Sequence, residues 1–126
     1  MLRSRIEARP AQEAAVLTKA VIGAADQLGV SARSLSAILG VSEATVSRMR
    51  RSDFLLERGS KPFELGVLFV RLFRSLDAIV GGDQSVAKAW IRNANVALDG
   101  RPLEKIATIT GLIDVIAYLD SRRALV

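Results

Sequence analysis

The sequence predicts an all-α protein in two parts: an N-terminal helix-turn-helix bundle over residues 1–60, then a small helical domain over residues 61–126. Three observations point there. Apolar residues recur at spacings of three and four along most of the chain, the repeat that lines one face of a helix. No segment alternates polar and apolar residues with the period of two that marks a half-buried strand. Serines, glycines and prolines punctuate the periodic stretches where helices start and stop.

The first helix is expected from Ala11 to Leu28, where Ala14, Leu17, Val21 and Leu28 form the stripe and Gly29 ends it. Ser31 opens a helix of about two turns that closes on Gly40. Ser42 caps the next, Glu43 to Arg51, with Glu43 near the positive end of the helix dipole and arginines near the negative end. The segment Glu57–Pro62 reads as a short linker. Leu65, Leu68, Phe69, Leu72, Phe73, Leu76 and Val80 then mark a long amphipathic helix that stops at Gly81-Gly82. Asp83 caps a helix carrying Val86, Trp90 and Ile91, which gives way near Asn93 to an irregular piece, Asn95–Pro102. Asn95 suits the cap of a short helical piece at Val96–Leu98, and Pro102 suits the first position of a helix at Leu103–Thr108. The last helix is expected from Gly111 or Leu112 to Ser121, with Leu112, Val115, Ile116 and Leu119 on one face.

Composition narrows the function. The chain has 126 residues, the size of one domain or two very small ones. With no cysteine and no histidine it lacks thiolate nucleophiles, the commonest general base and the usual zinc ligands. Its best carboxylates, Glu64, Asp99, Glu104 and Asp114, show no paired spacing, so an enzyme is not expected, nor a cofactor or metal. Residues 1–61 hold 10 basic and 6 acidic groups while residues 62–126 hold 8 and 7, which gives a basic front and a nearly neutral back. The hydrophobic share of 50% is high, yet the longest uncharged stretch, Ser34–Ser42, is far too short for a bilayer span. A homodimer is therefore expected, with the Leu65–Val80 stripe offering more apolar surface than a small monomer covers. The opening MLRSRIEARPAQE has no uninterrupted apolar run of secretory type, so the cytoplasm is the expected compartment.

A helix-turn-helix needs a small residue where its helices cross, a glycine for the left-handed turn and apolar residues around both. Ser36 and Gly40 supply the first two, and Leu35, Leu39, Val41, Val46 and Met49 occupy the inward positions. In this layout the second helix enters the major groove. Ser42 caps it, Glu43, Ala44 and Ser47 reach base edges, and Arg48 meets a guanine or a phosphate. Arg50, Arg51 and Lys61 would contact phosphates and position the protein without reading sequence. The same arginines also offset the helix dipole, and two short helices joined by a glycine cap occur in bundles that bind no DNA.

In the second half, Trp90, Asn95, Leu98, Gly100, Pro102-Leu103, Gly111, Val115 and Leu119 follow in order, with a very short tail after them. The pattern resembles the toxin-binding domain of the Xre/MbcA/ParS antitoxin family, and with the preceding helix-turn-helix the resemblance covers nearly the whole chain. Ala94 departs from it, since proline often precedes the asparagine. The resemblance implies a type II antitoxin: a dimeric, mostly helical protein that inhibits a cognate RES-domain toxin acting on NAD by blocking its active site. It also implies repression of its own operon through the N-terminal half. By position, the toxin contacts it implies fall on Ser121, Arg122, Arg123, Ala124, Leu125 and Val126. Read without the resemblance, a tail with two arginines and two aliphatics suits an anion-binding cleft, and an ordinary frayed terminus has the same composition. Asn95 reads as a structural cap, and Trp90, Phe63, Phe69 and Phe73 read as core or dimer contacts. A stand-alone helix-turn-helix repressor, with a dimerising or ligand-sensing second half, is the alternative.

Overall fold

A computed structural model describes the backbone of residues 2–124 and the side chains of residues 9–124. Seven helices make up the described chain: α1 (Leu2–Leu28), α2 (Ala32–Leu39), α3 (Glu43–Arg50), α4 (Lys61–Ile79), α5 (Gln84–Arg92), α6 (Pro102–Lys105) and α7 (Ile109–Arg123). Among the described residues there is no strand, and no helix is long and apolar enough to cross a membrane. The only bridge among them joins Asn95 and Gly100.

Helix boundaries follow local chemistry. Ser31, Ser42, Ser60 and Thr108 each accept, through the side-chain oxygen, the backbone N–H three residues on, and Asp83 accepts those of Ser85 and Val86. Each cap satisfies a donor that the first turn of a helix leaves open. Several boundaries differ from expectation; α7, expected from Gly111 or Leu112 to Ser121, runs from Ile109 to Arg123. α1 begins at Leu2 rather than at Ala11 and contains Pro10; residues 9–13 are all exposed, so they carry no apolar stripe for a sequence to show. Lys61 and Pro62, read as linker, are the first turn of α4, where proline's missing N–H costs nothing. α6 ends at Lys105 rather than Thr108, because Thr108 turns outward to cap α7. Val96–Leu98 is a turn, not a helix. The Asn95 and Gly100 backbones exchange hydrogen bonds across it, and the Asn95 side chain accepts from Leu98 N–H at 3.3 Å, the structural role expected of it.

One contiguous core runs through the molecule, from Val21, Ala25 and Leu28 of α1 to Leu112, Val115 and Leu119 of α7. α4 lies at its centre and packs on α1, α2, α5 and α7. Phe69, Leu72 and Leu76 are fully buried, and Leu65, Leu68, Phe73 and Val80 are half-buried. Three residues of the apolar stripe are thus covered by the chain's own helices, and the other four in part. α1 and α4 cross at Gly66, where an added Cβ would lie 3.1 Å from Val21 and 3.2 Å from Leu56. Close by, the buried Thr18 hydroxyl donates to Ala14 C=O at 2.7 Å and accepts from Leu56 N–H at 2.9 Å. That single hydroxyl ties the segment between α3 and α4 to α1.

α7 is fastened to α4 by Asp120, which accepts from the Ser75 hydroxyl at 2.9 Å and from the Arg71 guanidinium. The Ser75 bond does most to hold the Asp120 carboxyl below the usual range, with Arg71 adding to it and partial burial opposing. A carboxylate whose folded pKa is depressed contributes stability that is present above the unfolded value of about 3.9 and is lost as pH falls through the folded value. In urea titrations Asp120→Asn should therefore flatten the loss of stability below roughly pH 4; an unchanged slope would remove this pairing from the acid response. A steric test lies at Gly111, where an added Cβ would sit 1.8 Å from the Lys105 carbonyl oxygen. Gly111→Ala should cost about 2–3 kcal/mol, the range for overpacking a rigid contact. Gly23, also helical but with nothing within 4 Å of its missing Cβ, is the control, and Gly23→Ala should stabilise by about 0.5–1 kcal/mol.

Candidate nucleic-acid interface and the surface of the last helix

The turn between α2 and α3 depends on Gly40, whose φ of 69° lies in the left-handed region that favours glycine. Its N–H and that of Val41 both return to the Ser36 carbonyl, at 2.9 and 3.1 Å, closing α2. Leu35, Leu39, Val46 and Met49 are buried as expected, and Val41 is half-buried. At about 100° per residue, Thr45, Val46 and Met49 point inward, which leaves Glu43, Ala44, Ser47, Arg48 and Arg51 on the outward face. All five are exposed, as is Ser42, whose side-chain oxygen bonds Thr45 N–H at 3.0 Å and lies 2.9 Å from the Thr45 hydroxyl.

The three arginines expected at this helix have different surroundings. Arg48 donates to the Thr45 hydroxyl at 3.3 Å and stands 5.6 Å from the centre of the Phe54 ring, a geometry that holds the guanidinium over an aromatic face. Arg51 makes a long contact with Asp53, 3.4 Å, with both side chains 64% exposed, so little holds it back from a phosphate. Arg50 lies at the edge of the buried face and pairs with Asp26 near the end of α1 at 2.5 Å. That pair clamps α3 to α1. Lys61 points away into its own helix, bonding Glu64 at 3.1 Å.

At the far end of the chain, Ser121, Arg122 and Arg123 form the last turn of α7 rather than a free tail, and Ala124 is its C-cap. Ser121 donates to the Tyr118 carbonyl at 2.8 Å. The two arginines diverge. Arg122 stands 6.0 Å over the Tyr118 ring, which is itself stacked on Trp90 with centroids 6.3 Å apart and planes 16° from parallel. Arg123 faces Asp120 and contributes to the depression of its pKa. Leu125 and Val126 lie outside the described residues.

Phe54, Asp26 and Tyr118 are the residues that sequence reasoning missed. Tyr118 and Arg122 are four apart on one helix, a spacing at which side chains meet, so that contact was open to reading. Trp90–Tyr118, Arg48–Phe54 and Asp26–Arg50 join separate elements and leave no local pattern.

Residues 7–71, just over half the chain, match the family described as the antitoxin Xre-like helix-turn-helix domain. Residues 75–124 match the antitoxin Xre/MbcA/ParS C-terminal toxin-binding domain. The two matches meet within α4. Neither is a family of enzymes, and no curated protein matches the chain.

The unequal settings of the arginines lead to a test by salt titration of binding to a duplex from upstream of the chain's own gene. Removing one phosphate-binding cation should flatten the log–log salt dependence by about one unit for each copy of the chain on the duplex. Arg48→Ala and Arg51→Ala should each do so. Arg50→Ala should leave the slope near wild type while lowering stability by up to about 1 kcal/mol, as for an exposed ion pair. An Arg50→Ala slope as flat as that of Arg51→Ala would place Arg50 on the DNA.

Proposed function

The chain belongs to the Xre/MbcA/ParS antitoxin family, and on that premise we propose that it neutralises a RES-domain toxin acting on NAD and represses its own operon. The observation that carries this reading is the joining of a helix-turn-helix, whose outward face is Glu43, Ala44, Ser47, Arg48 and Arg51, to a toxin-binding domain whose last helix ends in a supported arginine. A stand-alone repressor with a ligand-sensing second half would need no such toxin-binding match over residues 75–124.

In DNA binding, Ser47 and Ala44 at the centre of the outward face read base edges, with Arg48 beside them and Arg51 on the backbone. Helix-turn-helix proteins meet two half-sites as dimers, so repression by this chain involves two copies on the operator. Both activities belong to the cytoplasm, where operator and toxin would be found.

In toxin binding, Arg122 is the central contact. A guanidinium pairs in two-pronged fashion with a carboxylate and also matches a phosphate, so it suits a cleft built to hold a dinucleotide. Stacking on Tyr118, backed by Trp90, orders Arg122 before the toxin arrives and so lowers the entropy lost on binding, about 0.5–1.5 kcal/mol for a long side chain. Ala124, Leu125 and Val126 complete the inserted end, and inhibition is by occupation of the site.

An NAD-turnover assay with the purified toxin checks this reading. Removal of residues 122–126 should restore NAD consumption, and Arg122→Ala should weaken inhibition by about tenfold or more. Tyr118→Leu should weaken it by roughly three- to tenfold through loss of the ring beneath the guanidinium, and adding Arg122→Ala should then cost less than it does in wild type. Full inhibition by the truncated chain would show that blocking arises elsewhere.

A further inference from the structure

A groove of about 710 Å³ runs between α1, α4 and α7, apart from the outward face of α3 and from the Trp90–Tyr118–Arg122 stack. On α1 it is faced by Arg9, Glu13, Val16 and Ala20, a helical spacing of four, three and four. On α4, Phe63, Val67, Val70 and Arg74 repeat the arrangement at spacings of four, three and four. Two valines are conspicuous for their exposure, Val16 at 70% and Val67 at 45%, one on each wall. An apolar floor between two helices, both presenting the same four-three-four repeat, is shaped for a third helix laid along it.

The charges around that floor decide which helix. Four arginines line the groove, Arg9, Arg71, Arg74 and Arg123, against two carboxylates, Glu13 and Asp120. Both carboxylates are already engaged within the chain, Glu13 with Arg58 at 3.2 Å and Asp120 with Arg71 and Ser75. The rim is thus positive. A second copy of the chain is a poor occupant, since it carries a formal net charge of +5 and would bring an identical arginine-rimmed surface. We propose that the groove docks an acidic amphipathic helix of the toxin, with its apolar face against Val16 and Val67 and its carboxylates toward Arg74 and Arg123. This rests on the antitoxin reading and adds a second contact, one that anchors the toxin while Arg122 occupies its site.

The test uses the full chain and the purified toxin, with affinity from calorimetry and inhibition from NAD turnover. Val67→Asp and Arg74→Glu each place a negative charge on an exposed position, so thermal melting should stay near wild type. Each should weaken toxin affinity by about tenfold or more, while saturating amounts of either variant still inhibit fully because Arg122 is intact. Arg74→Lys should keep most of the affinity. If the groove variants bind as wild type does while Arg122→Ala loses inhibition, the groove is not a docking site and the antitoxin reading stands. A toxin that does not bind the wild-type chain would overturn both. Sedimentation that shows a wild-type dimer turned to monomer by Val67→Asp would give the groove to a second copy and overturn the proposal.

Discussion

The crossing of α1 and α4 at Gly66 is the contact on which the molecule is built. Without a side chain there, Val21 of α1 and Leu56 of the preceding segment reach the α4 backbone, and a Cβ would come within 3.2 Å of both. Because the two longest helices approach so closely, Thr18 on α1 can hydrogen-bond Leu56 N–H, and the segment between α3 and α4 is drawn into the core rather than left as a linker. The close approach also leaves α4 free to pack against α2, α5 and α7. Much of a helix that reads as a dimer surface in isolation is in this way buried within one chain, and the face with Val67, Arg71 and Arg74 stays open.

Both functional surfaces are fixed to this pair of helices by polar contacts rather than by the core alone. α3 is clamped through Arg50 to Asp26 on α1. α5 is tied by Arg92, which donates to the Gly29 carbonyl at 2.9 Å at the end of α1. α7 is held by Asp120 to Ser75 and Arg71 on α4. Single exposed ion pairs contribute little to stability, so the buried face of each helix sets its rotation and these contacts add to it. Rotation decides what the outward face shows. Arg48, Arg50 and Arg51 are all exposed, with Arg50 the one paired to α1, and Arg122 and Arg123 point about 100° apart on α7.

This division of labour explains why neighbouring arginines are not equivalent. Adjacent residues on a helix point about 100° apart, so a basic pair such as Arg122-Arg123 serves two surfaces. One is stacked on an aromatic face, and the other looks into an arginine-rimmed groove beside a carboxylate. The same holds at Arg50-Arg51, where one residue pairs with Asp26 on α1 and the next makes a long contact with Asp53.

The helical class, the glycine turn at Gly40, the caps at Ser31 and Ser42 and the inward residues of the helix-turn-helix were all legible in the amino-acid order. Each is local: a cap acts over three residues and a helical face repeats over four, so the information lies within a short window. The pattern from Trp90 to Leu119 that marks the second half was legible in the same way. Where α1 begins was not, since residues 9–13 are all exposed and leave no apolar stripe leading back from Ala14. Nor was the covering of the long α4 stripe within the chain, because burial depends on neighbours that periodicity cannot name. Packing paired Arg50 with Asp26, Arg48 with Phe54 and Trp90 with Tyr118, and it opened the groove between α1, α4 and α7. Apart from Arg48 and Phe54, six residues apart across the end of α3, each of these joins residues far apart in sequence, and only the packing of rigid helices brings them within reach.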